Sequence, residues 1–405
     1  MFFYRGDQNF RHNVPPHPVF SLPVAVLAFL GMGIMLREWR RPRSQFWFLW
    51  IGCMLLPMLL STESPHFFRS AGVLPLAFVL PAMGLDQIGR LAEQRGRRLL
   101  GLVAVGLTLA FSLGDTLDAY FGASHTQNSG LYYAFAGQDM DLAVDINQFL
   151  GVGWQGAGWL AKDTTPLPGH QVWMDRQFWS DGDRQRTLRL LVPLQMDATS
   201  VFGFIQTALE APGSRSPEAT NTRLIVVPGQ EQPAVELLPH NRLIRVEDGP
   251  LTPHGPQAPL LYRTYTATRP ESLPAKPVAC FEEGIELLAA DLHANIDGVA
   301  VNLTWHAQAT PSYDYTIFTH VVAQSELVGQ VDGYPALGRY LTSWWRPGDV
   351  IADERVVPIP AGTALEQVFV RVGLYRLDTR ANLVATDCAG TALGDFILLP
   401  LTGPR

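Results

Sequence analysis

The chain has 405 residues, three cysteines and a formal net charge of −7, but the charge is split. Residues 1–114 hold eleven Arg and no Lys against five acids, about +6, which leaves −13 for the remainder. An acidic remainder argues against a nucleic-acid partner, which needs a cationic face, and three cysteines are too few for a disulfide scaffold or a zinc site.

Four apolar segments dominate the first part: Val19–Leu36, Gln45–Leu60, Ala71–Leu85 and Leu99–Leu113. Arg37, Arg40, Arg41 and Arg43 separate the first pair, and Arg90, Arg95, Arg97 and Arg98 separate the last pair. Short Arg-rich loops stay cytoplasmic, so one orientation satisfies every loop, with both termini and the Ser61–Ser70 loop outside. The expected localisation is therefore an integral plasma-membrane protein. A spanning helix wants about 20 apolar residues, and the last three segments fall short unless flanking polar residues join them. The alternative, buried helices of a soluble protein, needs a polar face that Phe46–Leu60 lacks.

Residues 1–18 precede the first span and are too polar and Pro-rich for a helix in lipid. Arg5-Gly6-Asp7 matches an adhesion tripeptide, a match common by chance. A chain that starts outside without a signal sequence implies that Met1 is internal to a longer polypeptide. The loop STESPHFFRS places Glu63, His66 and Arg69 at the outer mouth of two spans, where ionisable groups are costly unless paired or wet. Arg69 offers fork-shaped hydrogen bonds to a phosphate; the alternative is an interfacial Arg that snorkels to headgroups.

The run RGDQNFRHN–PPHPVF, an Arg-rich turn, and ESPHFFRSAGVLPLAFVLPAMGL together resemble the C-terminal membrane portion of bacterial polytopic glycosyltransferases. These are of the dolichyl-phosphate-mannose–protein mannosyltransferase and aminoarabinose transferase type. The resemblance covers residues 1–114. It implies transfer of a sugar from a polyprenyl-phosphate donor to a glycan or protein acceptor on the outer face. It also implies donor-phosphate contacts from Arg69 and His66, with Glu63 beside them and Arg11, His12 and Asn13 as further candidates. The family's catalytic acid lies on an earlier external loop not found in this sequence, so the catalytic residue is unknown. A separate N-terminal catalytic half is an expected partner, and the chain alone is expected to be inactive.

Residues 115–275 mix helix and strand signals. Asp139–Leu150 has helical spacing; Ser200–Leu209 and Glu231–Leu238 read as further helices. Gln171–Met174, Thr187–Val192, Arg223–Val227, Leu243–Val246 and Leu260–Thr266 read as strands. The Gly-rich run Gly151–Trp159 follows a helix rather than a strand, so it is a loop with two Trp and not a dinucleotide site. Proline clusters at Pro250–Pro259 and Pro270–Pro277 mark a boundary. Residues 276–405 then alternate as strands: Ile285–Asp291, Val299–Gln308, Tyr315–Val322, Glu326–Gly333, Val350–Pro358, Val368–Arg376 and Phe396–Leu401. Seven or eight short strands over this length predict a β-sandwich. Trp344 and Trp345, beside Arg346, could stack on a sugar face or pin their long loop into the sandwich. Cys280 and Cys388 could pair in an oxidising compartment or remain free thiols. No metal-ligand cluster or catalytic triad stands out, and no cofactor is expected. His293, His306 and His320 lie on separate strands, and Glu282 and Glu283 are adjacent and splayed.

The predicted architecture is thus an α-helical transmembrane bundle of four helices (19–114) behind an external segment (1–18). A small external α/β domain (115–275) and a C-terminal β-sandwich (276–405) follow. The competing functional reading is a membrane-anchored surface module that binds glycan or protein and does no chemistry.

Overall fold

The computed structural model describes residues 2–9, 11–62, 66–122, 132, 134–157, 164–179, 182–194, 201–210, 219–250, 260–270, 272–363 and 368–401. Helices occupy the N-terminal part and large sheets the rest, and the chain divides into two units, Met1–Gly137 and Gln138–Arg405.

In the first unit each apolar segment becomes helical: α1 (Leu22–Arg37), α2 (Pro42–Leu59), α3 (Leu74–Ala77), α4 (Val79–Gln94) and α5 (Arg98–Phe121). A tight 3₁₀ turn, Phe68–Val73, leads into α3. Pro42 opens α2, where its missing N–H costs nothing. The stretch Phe68–Gln94 and the helix Arg98–Phe121 are each long and apolar enough to cross a membrane. The second exceeds the segment read from hydropathy, which ends near Leu113. The helix continues because Asp115 finds a partner in His17, 3.2 Å away, and Thr116 returns its hydroxyl to the Ser112 carbonyl. At 1.5 Å per residue its 24 residues reach about 36 Å.

Helices α1 and α4 pack backbone to backbone. A Cβ on Gly31 would fall 1.9 Å from the Leu80 carbonyl oxygen, and one on Gly84 would fall 2.2 Å from that of Leu27. Small residues that let backbones meet are how helices associate without a hydrophobic driving force. Trp47 and Trp50 of α2 donate their indole N–H groups to the carbonyls of Leu76 and Gly72, at 2.8 and 2.9 Å. The Gly72 carbonyl would serve Pro75 in a 3₁₀ turn, and Pro75 has no N–H to give. Large apolar side chains elsewhere are exposed, among them Leu49, Leu99, Leu102, Leu107 and Leu109.

The second unit starts with helix α6 (Gly137–Leu150), as its spacing predicts. Strand β1 (His170–Met174) runs parallel to β2 (Phe202–Phe204) on one side and β3 (Asn221–Val226) on the other. Strand β4 (Leu243–Asp248) reaches β3 through β5 (Arg263–Thr268), antiparallel to both. Residues Leu142, Ala143, Ile146 and Leu150 of α6 cover one face with Val172, Met174, Phe202 and Ile225. The predicted strand Thr187–Val192 is instead part of helix α7 (Gly182–Leu191). Leu188 and Val192, four apart, are both buried in that core, a spacing that suits a helix and not a strand. The predicted helix Ser200–Leu209 divides into β2 and a short helix, Ile205–Glu210.

The C-terminal strands β6 (Ala279–Phe281), β7 (Ile285–Asn295), β8 (Gly298–Ala307), β9 (Tyr315–Ala323), β10 (Glu326–Gly333), β11 (Val350–Val357) and β12 (Val368–Arg376) follow their alternation. The short β13 (Ala385–Thr386), β14 (Ala392–Gly394) and β15 (Ile397–Pro400) complete them. Eleven strands form one sheet in the order β14-β13-β6-β7-β8-β11-β4-β5-β3-β1-β2, and a second sheet runs β10-β9-β12-β15. The larger sheet crosses the proline-rich boundary, because Val350 and Ile351 of β11 pair with Leu243 and Ile244 of β4. One core joins both sheets, with Trp305, Val301 and Leu287 from the large one and Val321, Val370 and Val372 from the small one. Cys280 and Cys388 form a disulfide that ties the ends of this strand region together. Trp159 and residues 251–259 lie outside the described residues.

Candidate functional site

The site grows out of the polar segment before α1. Asp7 starts a tight turn, accepting from the Asn9 amide on Oδ1 at 2.9 Å, and Asn9 in turn accepts the Arg11 amide at 2.9 Å. Asn13 crosses the loop, its Nδ2 donating to the carbonyls of Asp7 and His17 at 2.9 and 2.8 Å. Gly6 closes the knot through its N–H to the Pro16 carbonyl, and a Cβ there would meet the His17 oxygen at 1.9 Å. Such Asx turns are what Asp and Asn do when no regular ladder is available.

This knot reaches across the sequence to the loop before α3. The Phe67 amide donates to Asp7 Oδ2 at 2.8 Å, and His12 Nδ1 lies 3.1 Å from the same oxygen. The His12 ring packs 4.4 Å from His66 and 4.5 Å from Phe68, centroid to centroid. Asp7 is 3% exposed. Burial alone would raise its carboxyl. The amides of Phe67 and Asn9, with His12, outweigh that and hold it below the ordinary carboxylate value. The adhesion tripeptide is thereby occupied, since its carboxylate is turned inward.

Beside the knot lies a cavity of about 420 Å³. Asn13, His17, Ser70 and Asp115 contribute polar groups to it, and Leu74 and Phe78 are among its apolar walls. At its polar edge His17 Nε2 meets Asp115 at 3.2 Å, and the hydroxyls of Ser21 and Ser112 meet at 3.2 Å. A chamber that is wet at one edge and greasy elsewhere accommodates an amphiphile better than a free sugar.

Of the residues singled out from sequence, His12, Asn13 and His66 therefore meet in one place. Arg69 is exposed and precedes Ser70, which lines the cavity. Arg11 is exposed as well, with its Nε donating to the Ala134 carbonyl at 2.7 Å. Glu63 lies outside the described residues. Asp7 is the residue that sequence reasoning passes over, because the amide that fixes it belongs to Phe67. Asp7, His12 and His66 offer ligand atoms all within 4.8 Å of one another, a grouping that spacing along the chain does not single out.

The second unit answers the aromatic-platform expectation differently. Trp345 is fully buried in the core, and Trp344 packs half-buried against it. Arg346 locks the same loop, donating to the Leu238 carbonyl at 2.8 Å and to Asp349 at 3.1 Å. The two Trp pin the loop, and Trp345 has no ring face left for a sugar. His306 bonds Glu286 at 2.7 Å and His320 bonds Asp332 at 3.1 Å, so both are paired within the sheets.

Compared with models of known protein families and with curated proteins, the chain matches none.

Proposed function

We propose that this chain is the membrane and outer-face portion of a glycosyltransferase that takes its sugar from a polyprenyl-phosphate donor. The observation that carries the reading is the meeting of the 6–13 knot with the 66–70 turn beside an amphiphile-sized cavity. The two segments lie far apart in the chain, and both carry the resemblance to lipid-dependent sugar transferases. In this reading the chain crosses the bilayer four times, with both Arg-rich turns cytoplasmic. The strand region outside closes as a small α/β layer joined to a β-sandwich.

The apolar walls receive the first isoprene units, and the phosphate stays at the polar edge. Arg69 binds the phosphate and stabilises the negative charge that grows on it as the glycosidic bond breaks. His66 and Asn13 fix the two loops that bear on the donor. The base that deprotonates the acceptor hydroxyl comes from another segment or a separate polypeptide. Glycan capture by the outer unit without chemistry is the weaker reading, because Trp345 is withdrawn into the core.

The test is binding by the full chain in detergent or nanodiscs. A short-chain polyprenyl phosphate should bind, and the matching polyprenol should bind at least tenfold more weakly. Arg69→Ala should cost the phosphate about 1.5–3 kcal/mol, the worth of a charge-assisted hydrogen bond, and leave the alcohol unaffected. In a reconstituted enzyme the same change should lower turnover by about a hundredfold. Equal binding of phosphate and alcohol would remove the donor assignment.

A further inference from the structure

We propose that Asp7, His12 and His66 form a binding site for a divalent transition metal of the zinc class, with one coordination position left open. Two imidazoles and one carboxylate are the donor set of three-ligand zinc sites that keep a fourth position for water or substrate. The geometry is close to that of a loaded site. Ligands about 2.0–2.1 Å from a tetrahedral ion stand about 3.3 Å apart, and Asp7 Oδ2 and His12 Nδ1 stand at 3.1 Å. All three donors fall within 4.8 Å of one another, so the set needs to draw in by no more than about 1.5 Å to reach coordination spacing.

The surroundings are those of a built site. The amides of Phe67 and Asn9 hold the Asp7 carboxylate in place and leave it lone pairs to spare, which is the role outer-shell hydrogen bonds play around metal ligands. His12 and Asp7 are largely buried, and Phe68 packs edge-on against the His12 ring. The Nδ1 atom of His66 is buried and has no hydrogen-bond partner among the described residues. A buried imidazole nitrogen without a partner is unfavourable, and coordination through that atom would remove the penalty. One carboxylate and two neutral imidazoles leave a bound divalent ion with net charge +1, which favours water or an anionic oxygen in the open position. The metal would also join the pre-α1 segment to the loop before α3, fixing one edge of the cavity that Asn13 and Ser70 line.

The experiment uses the full chain, purified in detergent without a histidine tag, stripped with chelator and titrated with Zn²⁺ by calorimetry, with elemental analysis after dialysis. One equivalent should bind, and Co²⁺ should give the intense visible band of a four-coordinate ion. His12→Ala and His66→Ala should each weaken binding by about a hundredfold, and His320→Ala, which changes a histidine paired with Asp332 in the other unit, should leave one equivalent in place. Zn²⁺ should raise the melting temperature of the parent and not of His12→Ala, which separates lost coordination from lost fold. No zinc retained by the parent, or one equivalent retained by both His variants, would overturn the site. Metal binding is read directly here, so its failure leaves the polyprenyl-phosphate reading standing, and the reverse also holds.

Discussion

Arg355 shows how much one residue can organise. It is 2% exposed on β11, and its guanidinium bonds Asp353 at 2.9 Å and the carbonyls of Ile317, Gly333 and Tyr334 at 3.1–3.2 Å. Asp353 in turn accepts the Ala336 amide at 3.0 Å. That amide belongs to a turn in which Ala336 and Leu337 hold positive φ angles of 48° and 53°, strained for residues with a Cβ. The buried pair therefore pins the turn that leads to Trp344 and Trp345. Truncating one partner leaves a buried charge uncompensated, at about 3–5 kcal/mol. Arg355→Leu should accordingly destabilise the strand region severely in denaturant melts, whereas the double change Arg355→Leu with Asp353→Leu should recover part of the loss. A single variant that melts like the parent would mean the network contributes little. Sequence could not reveal this cluster: an Arg two residues after an Asp on a strand reads as a solvated pair until the strand is known to be central.

Elements were legible where their period was long and clean. The four apolar segments, the helix at 139–150 and the strands from 285 onward announce themselves by hydropathy and alternation. Where apolar residues are few, the period is ambiguous: Thr187–Val192 reads as a strand by its Leu residues, yet Leu188 and Val192 meet the core from a helix. The site was half legible. His12, Asn13, His66 and Arg69 stand out by residue type and resemblance, but Asp7 acquires its role from the Phe67 amide and the cavity from the fit of several elements. Helix contact is likewise invisible in hydropathy and plain in glycines. Gly31 of α1 touches the Leu80 backbone, while Gly33, two residues on and on the opposite face of the helix, has nothing within 4 Å of its would-be Cβ. Gly31→Ala should therefore force α1 and α4 apart and cost about 1–3 kcal/mol as overpacking. Gly33→Ala should be neutral or slightly stabilising through helix propensity. Thermal unfolding of the two variants in the same detergent separates them, and equal melting temperatures would mean the helices do not meet at Gly31.

At the scale of the whole molecule, the charge split and the disulfide bear on one question, the side of the membrane on which the strand region resides. In the proposed four-span reading, the Arg-rich turns on both sides of the 45–85 stretch would put the strand region outside. A structural disulfide persists in oxidising compartments and is rare in the cytosol, and Cys280–Cys388 spans 108 residues. Closing a loop of that length restricts the unfolded chain by an amount worth about 2–5 kcal/mol. Replacing both cysteines by Ser should lower the melting temperature of the outer unit by about 5–15 °C, at about 2–4 °C per kcal/mol for a unit of this size. The same thiols report the topology. In a Cys53→Ser background, a membrane-impermeant maleimide applied to intact cells should label nothing until an impermeant reductant is added, and then label Cys280 and Cys388 together. Labelling that needs permeabilised cells but no reductant would place both residues in the reducing cytosol. It would invert the proposed orientation.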